Sequence, residues 1–362
     1  VNVGIVGMGN ISPIYLKNAR RFGLDVVAVA DLDMERAKSR AAEYGVPKAL
    51  SLQELLADDD VQVVLNLTIP KAHASVALAA LKAGKHVYNE KPLGITLDEA
   101  SELLREADAR GLLVGCAPDT FLGAGLQACR RIIDEGTIGV PVAATAFMMS
   151  SGPERWHPDP AFFYQEGAGP MFDMGPYYLT ALVNLFGGVR RVSGSARASF
   201  DTRTIGSGAK KGESIPVETP SHVASILDFA SGPVATLVTS FDVWHANLPR
   251  IEIYGSEGTL SVPDPNTFGG PVRVRLAGDK EWQDVEVGGP LATNSRGVGL
   301  GDLALAAREG RAPRASGALA YHVLDVMAST LETSRQGRAL ELTSGVERPA
   351  PLPEGLFDEV GA

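Results

Sequence analysis

The first ~120 residues constrain the fold most, because short apolar runs alternate there with stretches of helical spacing. Val3-Gly4-Ile5-Val6, Val26 to Ala30, Val61 to Leu67, Val87-Tyr88 and Leu112-Leu113-Val114 read as strands. Between them, Ile11 to Phe22, Met34 to Tyr44, Ala72 to Ala83 and Leu97 to Arg110 read as helices, with Gly45, Gly84 and Gly111 placed as helix stops and Thr96 as an N-cap. Strands that are apolar throughout and separated by helices predict a parallel sheet covered on both faces. After about residue 120 the pattern changes. Helices are expected over Gly125 to Glu135, Met174 to Phe186 and Ala318 to Ser334. Two-periodic runs occupy Val142 to Met148, Val223 to Phe229, Val234 to Phe241, Ile251 to Tyr254 and Val272 to Leu276. These predict a large, mostly antiparallel open sheet with helices on one side. Residues 201–220 read as an exposed loop. The expected class is α/β, with domains at 1–120 and 121–345 and a C-terminal tail at 346–362.

At 362 residues and a net charge of -10, the chain has the size of two domains and lacks the basic face that nucleic acid or an anionic membrane requires. No apolar run reaches the length of a membrane span. The chain enters its first apolar run at Val1, so no secretory signal is expected. The two cysteines, Cys116 and Cys129, form no disulfide framework, and the six histidines make no paired metal motif. The expectation is a reduced, cytoplasmic protein without a metal.

The first strand-to-helix turn, "GIVGMGNIS", has Gly7 and Gly9 where a tight turn brings backbone N–H groups to a pyrophosphate, followed by Asn10 and Ile11. Ser12 replaces the third glycine of the dinucleotide fingerprint. The second strand ends about twenty residues on at Asp31, an acid placed to accept adenosine ribose hydroxyls. Asp31 repels a 2′-phosphate, which favours NAD over NADP, although Arg36 is close enough in sequence to turn toward one.

Two further strand ends carry polar residues: "LTIPKAH" (Leu67 to His73) and "YNEKPLG" (Tyr88 to Gly94). Ligands of open α/β sheets bind outside the carboxyl ends of the strands. "AALKAGKHVYNEKPLGITLDEASELL", the glycine-rich start, "TIPKAH" and the later "DMGPYYLTALVNLFG" occur in the order and spacing of the GFO/IDH/MocA family. That family is named for glucose–fructose oxidoreductase, inositol dehydrogenase and a rhizopine-catabolism protein, and the chain resembles it over nearly its whole length. The resemblance implies an N-terminal Rossmann domain, a C-terminal α/β domain and NAD(P)-dependent chemistry on a sugar, sugar acid or cyclitol. It also implies a homodimer or homotetramer.

The resemblance gives Lys91 the role of reaching the reacting oxygen. An ammonium there favours the alkoxide-like charge that develops as hydride leaves the adjacent carbon. Glu90 orients the nicotinamide ribose or Lys91, and Thr68 and His73 are candidate cofactor contacts. Many members carry Asp-x-x-x-His on a helix of the second domain; this chain has Asp173 and then Tyr177. A tyrosine serves as acid/base once its pKa falls below the ordinary value of about 10, a shift that Lys91 can supply. Tyr178 is the neighbouring candidate, and His157 an alternative base. The plainer account has Asp173 capping the helix, Pro176 in its first turn and both tyrosines in the core. Trp156 and His157, in the aromatic stretch Ser150 to Pro170, and Asp119, with Thr120 beside it, are candidate substrate contacts or loop and turn residues. Two rival functions remain at this stage: a non-enzymatic NAD-binding sensor and a redox-neutral NAD-dependent glycosidase.

Overall fold

The computed structural model describes residues 1–357. The chain forms two compact units. The first holds Val1–Gly123, Gly289–Leu324 and, among the described residues, 349–357; the second holds Ala124–Gly288 and Asp325–Arg348.

In the first unit, β1 (Asn2–Val6), α1 (Ser12–Asn18), β2 (Asp25–Ala30), α2 (Met34–Tyr44), β3 (Lys48–Leu50), α3 (Leu52–Ala57), β4 (Val63–Asn66), α4 (Pro70–Lys82), β5 (His86–Asn89), α5 (Leu97–Arg110) and β6 (Val114–Cys116) follow in order. The six strands form one parallel sheet, ordered β3-β2-β1-β4-β5-β6. Val63, Val64, Leu65 and Asn66 of β4 are all buried, as a strand covered on both faces requires. The caps read from sequence are present: Thr96 accepts the Glu99 N–H at the start of α5, and Gly45 and Gly111 close α2 and α5 in the left-handed region. The short pair β3 and α3 escapes the periodicity argument because neither is long enough to show a period. α3 is marked instead by a capping box between Ser51 and Glu54.

The second unit comprises α6 (Ala124–Asp134), β7 (Pro141–Met149), α7 (Gly169–Phe186), β8 (Val189–Arg197), β9 (Thr202–Thr204), β10 (Ser214–Pro216), β11 (His222–Phe229), β12 (Val234–Ser240), β13 (Ile251–Gly255), β14 (Gly258–Val262), β15 (Val272–Leu276) and β16 (Gln283–Val285). Nine strands, completed by β17 (Leu340–Glu341), run in the order β16-β15-β14-β13-β7-β12-β11-β8-β17. Every pairing is antiparallel except β7 with β12. One face of alternating residues, including Ala144, Ala146, Leu237 and Val223, is buried; Ile226 and Val234 on the same strands are exposed. β9 and β10 pair as a small separate hairpin, so residues 201–220 are partly ordered strand rather than loop.

α8 (Val298–Glu309) was not expected, because Gly299 and Gly301 dilute its helical pattern. Their bare backbones are what let it pack in the first unit. A Cβ on Gly299 would stand 2.3 Å from the Tyr88 hydroxyl, and one on Gly301 2.8 Å from Phe22 Cβ. Residues 289–324, read from sequence as part of the second domain, therefore pack with the first unit. α9 (Gly317–Gln336) continues from the first unit into the second. Phe357, near the end of the tail, lies edge-on to Phe22 at 5.3 Å; residues 358–362 of that tail lie outside the described residues. Among the described residues no helix is long and apolar enough to cross a membrane.

Candidate active site

Gly7, Asp31, Thr68, Glu90 and Lys91 follow β1, β2, β4 and β5, so the parallel sheet brings them to one edge, that of the strands' carboxyl ends. Gly7 has φ +98, and a Cβ there would stand 2.7 Å from the Leu67 carbonyl group, a backbone obstacle that cannot swing away. Gly9 faces open space, with nothing within 4 Å of a Cβ. Ser12, where a third glycine was expected, is buried and donates its N–H (3.2 Å) and Oγ–H (2.9 Å) to the Gly9 carbonyl, closing the turn. Asn10 and Ile11 lead into α1, whose N-terminus has no side-chain cap. This open, uncapped turn fits a pyrophosphate.

Asp31 is held from four directions. Its carboxylate accepts the N–H groups of Met8 (2.7 Å) and Asp33 (2.9 Å) and two donors of Arg36, Nε at 3.2 Å and Nη2 at 2.8 Å. Burial alone would raise its pKa, but these hydrogen bonds outweigh it and hold the carboxyl below the usual range. Arg36 thus pairs with the acid that would otherwise be a bare ribose acceptor. Leu32 and Ile69, fully and largely exposed after β2 and β4, flank the β1 turn on either side. Sequence reading passed over both, although an apolar residue directly after a strand-end acid was the available signal.

Behind this edge lies a buried hydrogen-bond network. Asn66 receives the Thr68 N–H (3.2 Å) and Oγ1–H (2.6 Å), and its Nδ2 donates to Asn89 Oδ1 and to the His73 carbonyl, both at 3.0 Å. Asn89 Nδ2 reaches the Leu93 carbonyl at 3.3 Å. His73 is only 1% exposed, its ring between two carbonyls, so the structure puts it behind the cofactor surface rather than on it. Glu90 accepts the Tyr15 hydroxyl (2.8 Å) and the Lys91 N–H (3.0 Å), and its own N–H reaches the Asn66 carbonyl. Burial first, then the Glu90 charge, raises the Tyr15 pKa well above the ordinary value, so Tyr15 stays a donor and fixes Glu90. Sequence gave no hint of Tyr15, since the pairing spans 75 residues. Lys91 is half-buried, and its bond to Pro92 is cis.

Asp119 follows β6 but turns inward. It is 1% exposed, and its Oδ2 accepts the N–H groups of Gly297 (2.8 Å) and Gly299 (3.0 Å) at the start of α8. Burial raises its pKa to about 6. It serves as a long-range cap for α8, which makes a structural role the better account than substrate contact. Thr120 beside it is also buried. The Cys116 thiol is buried and pushed up by that burial, as expected of packing rather than a nucleophile.

In the second unit, α7 begins at Gly169, five residues before the expected start, because Pro170 rather than Pro176 occupies its first turn. Asp173 is therefore inside the helix, not its cap. Tyr177 lies four residues on, on the same helix face. Both tyrosines are buried, Tyr177 at 9% exposure and Tyr178 at 1%; the Tyr178 hydroxyl meets the Phe147 carbonyl at 3.4 Å and burial drives its pKa up, which counts against it as the base.

The stretch before α7 is tied down by Arg203, which sequence reading passed over. Its guanidinium donates to Glu154 Oε1 (3.0 Å), Asp242 Oδ1 (3.1 Å) and the carbonyls of Ser151 (3.0 Å) and Phe241 (2.8 Å), while Tyr164 donates to the other oxygen of Glu154. Glu218 N–H meets the Tyr164 carbonyl, Thr219 Oγ1 meets that of Ala168, and Phe241 N–H meets that of Ser221. These bonds put the aromatic stretch and the first turn of α7 at the same end of the nine-stranded sheet. Trp156 is 67% exposed there, edge-on to His157 at 5.5 Å. His157 Nδ1 accepts the Asp159 N–H at 3.1 Å, which leaves the ring proton on Nε2. Among the described residues no cluster of His, Cys, Asp and Glu is placed to hold a metal ion.

Residues 1–117 match the family model described as "Oxidoreductase family, NAD-binding Rossmann fold", and residues 126–261 match the GFO/IDH/MocA C-terminal domain. A 1,5-anhydro-D-fructose reductase of Ensifer adhaerens is 37% identical over 146 residues, covering 40% of this chain and 44% of the reductase. A trans-1,2-dihydrobenzene-1,2-diol dehydrogenase of Bos taurus is 30% identical over 267 residues, 72% of this chain and 74% of the relative. The fold is shared with an NAD binding oxidoreductase from Klebsiella pneumoniae (TM-score 0.83, 22% identity, 95% of this chain and 99% of that one). It is also shared with a levoglucosan dehydrogenase solved with NADH and levoglucosan (TM-score 0.82, 21% identity, 95% and 99%). With a matching sheet edge, a matching second sheet and relatives named as dehydrogenases and reductases, the chain belongs to the GFO/IDH/MocA family of NAD-dependent oxidoreductases.

Proposed function

We propose that the chain moves a hydride between nicotinamide and a secondary alcohol or ketone on a sugar, sugar acid or cyclitol ring, in the cytoplasm. The observation that carries this reading is the shared sheet edge: Lys91 stands at the same carboxyl ends as Gly7, Gly9 and Asp31. NAD, when bound, supplies the hydride acceptor. Gly7, Gly9, Asn10 and Ile11 take its pyrophosphate, Asp31 its ribose, and Thr68 and Glu90 line the path toward Lys91. Lys91 steadies the developing alkoxide charge on the substrate oxygen. Tyr177 removes or returns the hydroxyl proton, and Asp173, one turn away, orients substrate or Lys91. Trp156 and His157 offer the ring a stacking face and a hydrogen bond.

The test is absorbance at 340 nm with NAD against levoglucosan, myo-inositol, trans-1,2-dihydrobenzene-1,2-diol and related sugars. With the wild type NADH forms; Lys91→Ala and Tyr177→Phe each lower the rate by at least about a hundredfold. Turnover that survives Tyr177→Phe moves the base to His157. NAD binding without NADH from any compound points to a sensor.

The chain is also proposed to associate with its own copies, because the open face of the nine-stranded sheet exposes Ile226 and Val234 on adjoining strands. Light scattering gives the mass, and Ile226→Glu lowers it to that of a monomer.

A further inference from the structure

His73 sits on the first turn of α4, and each ring nitrogen faces a carbonyl oxygen. Nδ1 lies 2.6 Å from the Pro92 carbonyl and Nε2 2.9 Å from that of Thr68. Carbonyls only accept, and a neutral imidazole has one N–H to give. Two donors require the imidazolium; with one, a lone pair faces a lone pair at hydrogen-bond distance. The shorter contact favours Nδ1, toward Pro92, as the place of the single proton of the neutral ring.

The two carbonyls belong to different loops of the active edge. Thr68 follows β4 on the cofactor side, and Pro92 directly follows Lys91 after β5. The two loops are also joined by the amides of Asn66 and Asn89 and by the Glu90 N–H on the Asn66 carbonyl, none of which titrates. The charged groups acting on the ring are Glu90, which favours its cation, and Lys91, which opposes it; burial is the largest influence and disfavours the cation.

We infer that His73 is a positioning residue joining the two loops: it holds the Lys91 loop through Pro92 in either protonation state, and the Thr68 loop only when both ring nitrogens carry protons. The cofactor-side loop is therefore drawn in on the acid side of the ordinary imidazole range, while the Lys91 loop stays in place across it. The part concerning Lys91 rests on the function proposed above; the part concerning NAD does not.

The test titrates NAD into the full chain by tryptophan fluorescence between pH 5 and 8. In the wild type NAD binding tightens about three- to tenfold as the ring takes its second proton, the effect of one regained hydrogen bond. His73→Gln, which cannot span both carbonyls or titrate, gives a flat profile. His73→Phe, which fills the space and donates nothing, also lowers kcat at saturating NAD by about tenfold, since the Pro92 tie is lost. If that variant does not fold, ¹⁵N shifts of the wild-type imidazole decide. Nδ1 protonated throughout, with Nε2 gaining its proton in step with NAD affinity, supports the inference. A flat wild-type profile, or a neutral ring protonated on Nε2, overturns it. A Lys91→Ala protein that keeps turnover would remove the proposed function yet leave the NAD step intact, so the two failures are separable.

Discussion

The carboxyl edge of the first unit and the sheet end of the second are built by opposite means. At the carboxyl edge of the first unit, position comes from backbone and short sequence separations: a glycine that only glycine can occupy, an acid bonded to Met8, Asp33 and Arg36, and an Asn66–Thr68–His73 turn. At the sheet end of the second unit, one guanidinium gathers the aromatic stretch and the ends of distant strands through two carboxylates, Glu154 and Asp242. A pyrophosphate is common to any dinucleotide, so a backbone cradle suffices. A stretch held by side-chain ion pairs can be altered one residue at a time.

Breaking the single clamp should therefore have the largest effect. Arg203→Met leaves Glu154 and Asp242 buried without their cation, which costs roughly 3–5 kcal/mol. Urea unfolding should show that loss, with NAD affinity retained because the first unit's cradle is untouched. A mild change would mean that the backbone bonds alone hold the stretch.

The corresponding change in the first unit is Gly7→Ala. The left-handed backbone and the 2.7 Å approach to the Leu67 carbonyl force the turn to shift, at roughly 2–3 kcal/mol, or about a hundredfold in NAD affinity. Calorimetric titration with NAD reads it directly. Unchanged affinity would show that the turn tolerates displacement and that the cradle is less rigid than its geometry.

This contrast explains what could be read from the sequence. Apart from β3, α3 and α8, the strands and helices of the first unit, its caps, and Gly7, Gly9, Asp31 and Lys91 at one sheet edge follow from local periodicity and strand-end position, which depend on neighbours within a few residues. Tyr15 with Glu90, Asp119 with α8, and Arg203 with Glu154 and Asp242 join residues 75, 178 and about forty to fifty positions apart. No spacing rule reaches that far. β8 and α8 were missed because Gly194 and Gly299 interrupt their patterns where helix or strand packs closely: a Cβ on Gly194 would stand 3.0 Å from the Thr330 side chain.

Asp119 sharpens the comparison through pH. Its pKa rises from about 3.8 unfolded to about 6 in the fold, so the unfolded state loses its proton first as pH increases. The stability contributed by the protonated carboxyl is complete below the unfolded pKa and is lost as pH rises through 6, an effect of about 2–3 kcal/mol. Asp119→Asn keeps an acceptor for the Gly297 and Gly299 N–H groups and removes the titration. Urea unfolding at pH 4 and pH 8 should show little difference from wild type at the lower pH and a more stable variant at the higher. KM should not change; a raised KM would return Asp119 to the substrate.

The smallest expected effect tests the second unit's surface rather than its clamp. Trp156 is 67% exposed, so Trp156→Ala removes little buried area and should leave the unfolding midpoint where it was. Its remaining contribution is to whatever stacks on it, worth about 0.5–1.5 kcal/mol for a ring face. If the substrate ring rests there in both ground and transition state, KM rises about three- to tenfold and kcat holds, the signature of uniform binding. If instead kcat falls and KM holds, the indole is needed only as the reaction proceeds, and His157, edge-on to it at 5.5 Å, is the group it positions. The same substitution thus decides whether this stretch is a platform for the ring or a support for His157 as the proton carrier in place of the proposed Tyr177.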